Sequence, residues 1–312
     1  MTRKDTIKIA GVENTARVDS RILEERIQKA VADGCRHIEV TAEGQHGIGG
    51  RLWRAHDEPV KVDVLGTSGQ RLGSMGFANT TIEVFGPASD DVGWLNAGAK
   101  IIVHGNATNG VANAMAQGRV YIGGSIGARG MTMTKYNPRF EPPELWVFGK
   151  VGDSFAEFMA GGIAVICGAG AEEEKNVLGY RPCVGMVGGK IFFRGRQEAY
   201  STPDARLVTN LPDDEWEWLK QNLKTFLEAI GKQYLFEQLA EKRENWQLLI
   251  ARKPSEKLAR SVRPMAKFKR EIWENELGRG GLIGDLSDLD RSPIDVIATG
   301  AFRRFVDRKS VV

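Results

Sequence analysis

Apolar and polar positions alternate in short runs that recur along residues 62–195. Each run sets apolar slots two apart: Val62 and Val64, Ile82 and Val84, Ile101 and Val103, Val120 and Ile122, Leu145 and Val147, Ala164 and Ile166, Ile191 and Phe193. Thirteen of these fourteen residues are large and apolar, with Ala164 the exception. A period of two predicts a strand with one buried face. Two residues after each run stands a glycine: Gly66, Gly86, Gly105, Gly124, Gly149, Gly168 and Gly195. These glycines are separated by 20, 19, 19, 25, 19 and 27 residues. The two long intervals read as the same unit carrying insertions, at Tyr136–Pro143 and Ala171–Pro182.

A strand every 19 or 20 residues, with no helix-length pattern between, leaves few architectures. The leucine and asparagine signature of leucine-rich repeats is missing, and a βαβ sheet needs a longer amphipathic crossover. The pattern predicts a mainly β chain, a right-handed parallel β-helix of about seven to eight coils stacked at strand spacing. Glycine suits its corners, where the backbone is left-handed or approaches its neighbour closely. Before the coils, Asp19 or Ser20 caps a helix with Ile22, Ile27 and Val31 on one face, ended by Gly34. This N-terminal helix is expected to cover the open strand edge at the mouth of the stack. Ile38 and Val40 then open an earlier coil.

Stacking turns the period into columns. The outward column three residues before the closing glycine reads Asp63, Glu83, Ile102, Tyr121, Trp146, Val165, Phe192, with Phe148 and Cys167 on the same face. Its first two members are charged and its last five apolar, too large an apolar patch to face water. Ile102, Tyr121, Trp146, Phe148, Val165 and Phe192 are therefore the proposed interface, covered by the C-terminal helices or by a partner subunit. A second column reads Gln70, Asp90, Asn109, Ala128, Asp153. Asp90 and Asp153 are three coils apart, on the order of 14 Å, too far for a metal pair or a glycosidase carboxylate pair. They read as polar turn formers.

Composition narrows the function. Glycine makes up 37 of 312 residues, 31 of them before residue 204. Four of seven tryptophans lie beyond it, so a boundary is drawn near Ser201-Thr202-Pro203. The 43 basic and 40 acidic residues nearly balance, which gives no sign of nucleic acid or membrane as partner. No apolar stretch spans a bilayer, and a cytoplasmic protein is expected. Cys35, Cys167 and Cys183 form neither a CxxC site nor a disulfide framework. His37, His46, His56 and His104 lack zinc-binding spacing. The glycine-rich strings Gly66–Gly76, Gly124–Gly130 and Gly278–Gly284 lack the Gly-Lys-Ser/Thr end of a phosphate loop. Catalytic, cofactor-binding and metal residues are all read as none.

The last third changes period. Asp213, Asp214 and Glu215 favour a helix start. Trp216, Leu219, Leu223, Phe226, Leu227 and Ile230 follow as one apolar stripe that stops at Gly231. Further helices are expected over Tyr234–Lys242 and Met265–Leu277. The division is thus 1–34, N-terminal strand and capping helix; 35–202, parallel β-helix; and 203–312, helical C-terminal extension and tail.

The segments Ile101-Ile-Val-His-Gly-Asn-Ala107, Gly118-Arg-Val-Tyr-Ile-Gly-Gly124, Val147-Phe-Gly149 with Gly152-Asp153, and Glu157-Phe-Met-Ala-Gly-Gly162 resemble the GXGXG domain at the C-terminus of the glutamate synthase large subunit. The likeness is to its stand-alone forms, and it extends to the formylmethanofuran dehydrogenase component that shares this β-helix. It implies a β-helix without catalytic residues that braces a glutamine amidotransferase-like subunit against an FMN and iron–sulfur synthase-like subunit. FMN and clusters would then sit in partner subunits of a hetero-oligomer. The alternatives are a component of a formylmethanofuran-dehydrogenase-type or other redox complex, or a free-standing β-helix enzyme acting on carbohydrate. The last needs acids on adjacent coils, which the columns do not supply.

Overall fold

The computed structural model describes residues 6–52, 58–253 and 255–257, all within a unit that ends at Lys257. The expected helix at Met265–Leu277, the string at Gly278–Gly284, the tail and His56 lie outside the described residues.

The chain is mainly β, with thirteen strands and few helices among the described residues. Strands β1 (Ile7–Ala10), β4 (His37–Glu43), β5 (Val60–Thr67), β6 (Thr80–Val84), β7 (Ala97–Val103), β8 (Gln117–Ile122), β9 (Glu144–Val147), β10 (Ala160–Ile166) and β11 (Gly188–Arg194) pair in that order, every pair parallel. A small hairpin, β2 (Val12–Glu13) with β3 (Ala16–Arg17), stands apart. The register follows the sequence columns: Val62, Ile82, Ile101, Val120, Leu145, Ala164 and Ile191 are paired rung to rung, as are Asp63, Glu83, Ile102, Tyr121, Trp146, Val165 and Phe192. The first column is wholly buried in an interior core. Ile38 and Val40 pair with Val62 and Val64, which places the earlier coil.

The segments between strands stack as well. Arg71, Asp91, Gly110, Arg129 and Ser154 each donate their N–H to a carbonyl one repeat on, those of Asp90, Asn109, Ala128, Asp153 and Tyr180, at 2.8–2.9 Å. Two residues later, Gly73, Gly93, Ala112, Met131, Ala156 and Cys183 donate the other way, to Ile48, Leu72, Val92, Val111, Gly130 and Phe155. Every second residue here is left-handed, for example Arg71, Gly73 and Met75 at φ 61°, 62° and 52°, or Arg129, Met131 and Met133 at 61°, 60° and 54°. Most of these positions are not glycine. Each costs about 1 kcal/mol or more, offset by bonds between repeats that the turn could not otherwise make. The closing glycines of the middle repeats serve the other purpose. A Cβ on Gly86 would stand 2.2 Å from the carbonyl oxygen of Gly66. The column is glycine there because two backbones touch.

The C-terminal part corrects the sequence reading in one respect. It is not only helical: β12 (Ala205–Val208) and β13 (Trp246–Ala251) join the same sheet, β13 antiparallel to β11 and β12 at the edge. Between them lie α2 (Asp213–Ala229) and the short α3 (Phe236–Ala240), the latter preceded by a 3₁₀ turn at Gln233–Leu235. The sheet is an open series of strands from β1 to β12.

Helix α1 spans Ser20–Ala32, with the Asp19 side chain accepting from the Arg21 N–H. Its buried residues are Leu23, Ile27, Ala30 and Val31, while Ile22 points outward. These side chains enter the interior core. A groove of about 290 Å³ lies between α1 and β1, lined by Ile7, Lys8, Ile9 and Ala10 with Arg26 and Lys29. The helix therefore plugs the core and is not the cover over the strand edge that the sequence suggested.

A Gly86→Ala change should lower the unfolding free energy by about 2 kcal/mol or more, because backbone rather than a flexible side chain must yield. Ala114→Gly, at a left-handed corner (φ 53°), should stay within about 1 kcal/mol of the parent. Urea unfolding measures both. Equal losses would contradict the distinction between close approach and left-handed backbone.

Candidate functional site

The outer face of the parallel sheet divides in two. Over β7 to β11, the six residues Ile102, Tyr121, Trp146, Phe148, Val165 and Phe192 lie in or against a second apolar core. Its other half is Leu219, Leu223, Phe226 and Leu227 of α2, with Leu239 and Trp246. Trp146 is at its centre: its ring centroid stands 5.5 Å from that of Phe226 and 5.8 Å from that of Trp218. Tyr121 meets Phe226 edge-on at 5.3 Å, and Trp218 stacks on Phe192 at 5.4 Å. The stripe read along α2 is thus the cover for this face. A large buried aromatic needs its polar atom satisfied. The Trp146 Nε1–H donates to Glu144 Oε2 at 2.8 Å, and the other Glu144 oxygen accepts from Arg119 Nε at 3.1 Å.

Over β4 to β6, and at His104 just past the end of β7, the same face is polar and bears paired charges. His37 Nε2 lies 2.7 Å from Asp63 Oδ2, and His104 Nε2 lies 2.9 Å from Glu83 Oε1. Lys61 joins the two pairs, with Nζ 2.9 Å from Asp63 and 3.1 Å from Glu83. Burial pulls the Lys61 ammonium down, but the hydrogen bonds to Asp63 and Glu83 outweigh it and hold the pKa above the usual lysine value. Lys8 pairs with Glu39 on the neighbouring rungs at 2.9 Å. Phe85, exposed, stacks on the His104 ring at 5.1 Å and 11°. Sequence reasoning marks the charged start of this column but not the histidine pairs, because His37 and His104 each stand two residues along their strands from it and reach it only once the rungs are in register.

The polar corner column is structural. Asp90 Oδ1 accepts from the Asn109 N–H at 2.8 Å and from the Thr108 hydroxyl. The Thr108 bond first, then the Asn109 backbone bond, hold the Asp90 carboxyl below its ordinary pKa. Asp153 Oδ1 accepts from the Tyr180 N–H at 2.9 Å, and Asn109 Oδ1 from the Ala128 N–H at 2.9 Å. Each side chain ties its repeat to the next. His46 does likewise, its Nδ1 accepting from the Gln70 N–H at 2.9 Å.

Cys35, Cys167 and Cys183 are buried thiols. Burial pushes Cys167 and Cys183 up to about 12, so both are protonated at neutral pH. Among the described residues, no three of His, Cys, Asp and Glu are grouped to hold a metal ion. Among them, too, no helix is long and apolar enough to cross a membrane.

The GXGXG motif family, to which the C-terminal domain of the glutamate synthase large subunit belongs, matches residues 48–252. The chain belongs to this family. The match takes in the strands from β5 to β11 together with α2, β12 and β13, so the helical cover lies inside the GXGXG region. An uncharacterized protein of Methanocaldococcus jannaschii is 28% identical over 201 residues, covering 56% of this chain and 76% of that protein.

Native GXGXG chain at pH 8 should leave its three thiols unreacted with a disulfide reagent, and denatured chain should titrate all three. Cys167 and Cys183 hold their protons more tightly folded than unfolded. Their contribution to stability is therefore full below the ordinary thiol value of 9.0 and falls as pH rises from there toward 12. A stability curve rising over that range in the wild type, but not in a Cys167→Ala, Cys183→Ala variant, would contradict this assignment.

Proposed function

We propose that this chain is a non-catalytic scaffold subunit of a multi-subunit, glutamate-synthase-like oxidoreductase complex in the cytoplasm. In this reading the parallel sheet and its stacked corners form a right-handed parallel β-helix that serves as a rigid spacer. The observation that carries the proposal is the division of its outer face. The apolar half is covered by the chain's own α2, and the half bearing His37, Lys61, Asp63, Glu83 and His104 is left uncovered by that helix. A flat face whose charges are already held in place loses little side-chain freedom on docking, and charge arrangement selects the partner. The corner carboxylates are engaged with backbone, which removes the feature a β-helix hydrolase would need.

In this reading the partners are an amidotransferase-like subunit and a synthase-like subunit holding FMN and iron–sulfur clusters, and membership of the GXGXG family supports looking for protein partners of the glutamate-synthase type.

Native purification from the source tests the reading. The chain should co-elute with flavin- and iron–sulfur-containing subunits, with the visible absorption of both. Asp63→Asn combined with Glu83→Gln should weaken that capture at least tenfold while the chain stays folded at the assay temperature, as read by circular dichroism. A chain that purifies alone, or capture indifferent to these substitutions, would overturn it. Recovery of formyl-transferring subunits instead would assign the scaffold to the other type of complex.

A further inference from the structure

One cleft lies at the margin of the outer face, beside the start of β7 and β8. It holds about 340 Å³ and is lined by Ala78, Gly98, Lys100, Gln117, Gly118 and Arg119, with Phe140, Glu141 and Pro142 from the insertion as its other wall. That size is within the range of small-molecule sites. Its floor is a bulge. Ala97 pairs with Gln117 and Lys100 with Arg119, so Gly98 and Ala99 together oppose Gly118. A bulge leaves backbone groups unpaired and redirects side chains, and bulges gather beside functional sites. Here the buried Asn96 side chain repairs the ladder: its Oδ1 accepts from the N–H of Gly98 (3.2 Å) and Ala99 (2.9 Å), and its Nδ2 donates to Ala99 O (2.9 Å).

The consequence is two cations in register on adjacent rungs. Arg119 uses Nε on Glu144, and among the described residues its two terminal nitrogens make no hydrogen bond. Lys100 has no ion pair among the described residues. Its ammonium rests 5.4 Å from the centre of the Tyr121 ring, itself part of the buried core. Burial first, and the neighbouring Arg119 charge second, hold Lys100 below the usual lysine pKa. A part-buried ammonium with no ion pair, beside an exposed guanidinium, is favoured by a bound anion that the two can share. Glu144 already pairs with Arg119, its other oxygen accepting from Trp146, which leaves Lys100 as the cation without an ion pair among the described residues.

We propose that this cleft binds a small monocarboxylate, its oxygens shared between Lys100 Nζ and the terminal nitrogens of Arg119. The guanidinium fork and the ammonium suit the two oxygens of one carboxylate. Phe140 is 52% exposed and, with Pro142, offers an apolar wall for the rest of the ligand. Glu141 weighs against a ligand of higher negative charge. The glycines of the floor sit where backbones meet: a Cβ on Gly98 would stand 2.8 Å from the Ala78 nitrogen, and one on Gly118 2.4 Å from the Ala99 oxygen.

Calorimetric titration of the full chain with benzoate, benzamide and inorganic phosphate tests the site. Benzoate should bind saturably with one equivalent, benzamide should not bind, and phosphate should bind at least tenfold more weakly than benzoate. Lys100→Gln should weaken benzoate at least tenfold, and Lys100→Arg should restore it. Because Arg119 also supports Glu144 and Trp146, its substitution is avoided, and the Lys100 variants are checked for an unchanged melting temperature. Absence of saturable benzoate binding, equal binding in Lys100→Gln, or a preference for phosphate would overturn the proposal.

Discussion

The structure depends on backbone meeting backbone at strand spacing along the whole of each repeat. Parallel strands do this as a matter of course, about 4.8 Å apart. The corners must do it too, or the stack would splay. They achieve it by alternating left-handed residues, which turn successive N–H groups toward the repeat before and the repeat after. The strain of those conformations is met by bonds that form only between repeats. Glycine is obligatory where carbonyls approach within a side chain's radius, as between Gly86 and Gly66.

From that constraint follow two cores of different origin. The interior core is made by the stack itself, with one layer of Val, Ile or Leu in most repeats. The outer core exists because an apolar column on the far side of the same strands cannot face water, and α2 is laid across it. Burial of Trp146 and its neighbours couples the C-terminal segment to the β stack, and β13 continues the coupling by pairing with β11. The cover ends where the column turns from Ile102 to Glu83. Beyond it the face is ionic, which is the property the scaffold proposal uses.

Much of this is legible in the sequence, because a repeat converts spacing into register. The inward and outward columns run in the order in which the strands pair, and the stripe from Leu219 to Leu227 is one face of a helix. Other features leave no periodic trace. Strands β12 and β13 are four and six residues long, lack a closing glycine and pair across an intervening helix. The sequence pattern puts Ile22 on the buried face of α1, where Leu23 stands instead, a one-residue rotation that a short amphipathic pattern does not resolve. The Lys100–Arg119 cleft is invisible in the sequence because it needs a bulge and an insertion brought together from separate repeats.

Native-state hydrogen exchange at the corners tests the central claim most directly. The amides of Gly93, Ala112, Met131 and Ala156 lie in segments that would ordinarily be loops, yet each donates to the preceding repeat. If stacking of the whole repeat holds the fold together, these amides exchange as slowly as those of β6 to β10, through the same global opening. Corner amides exchanging freely while the strands stay protected would show that the strands alone carry the stack, and would contradict the account.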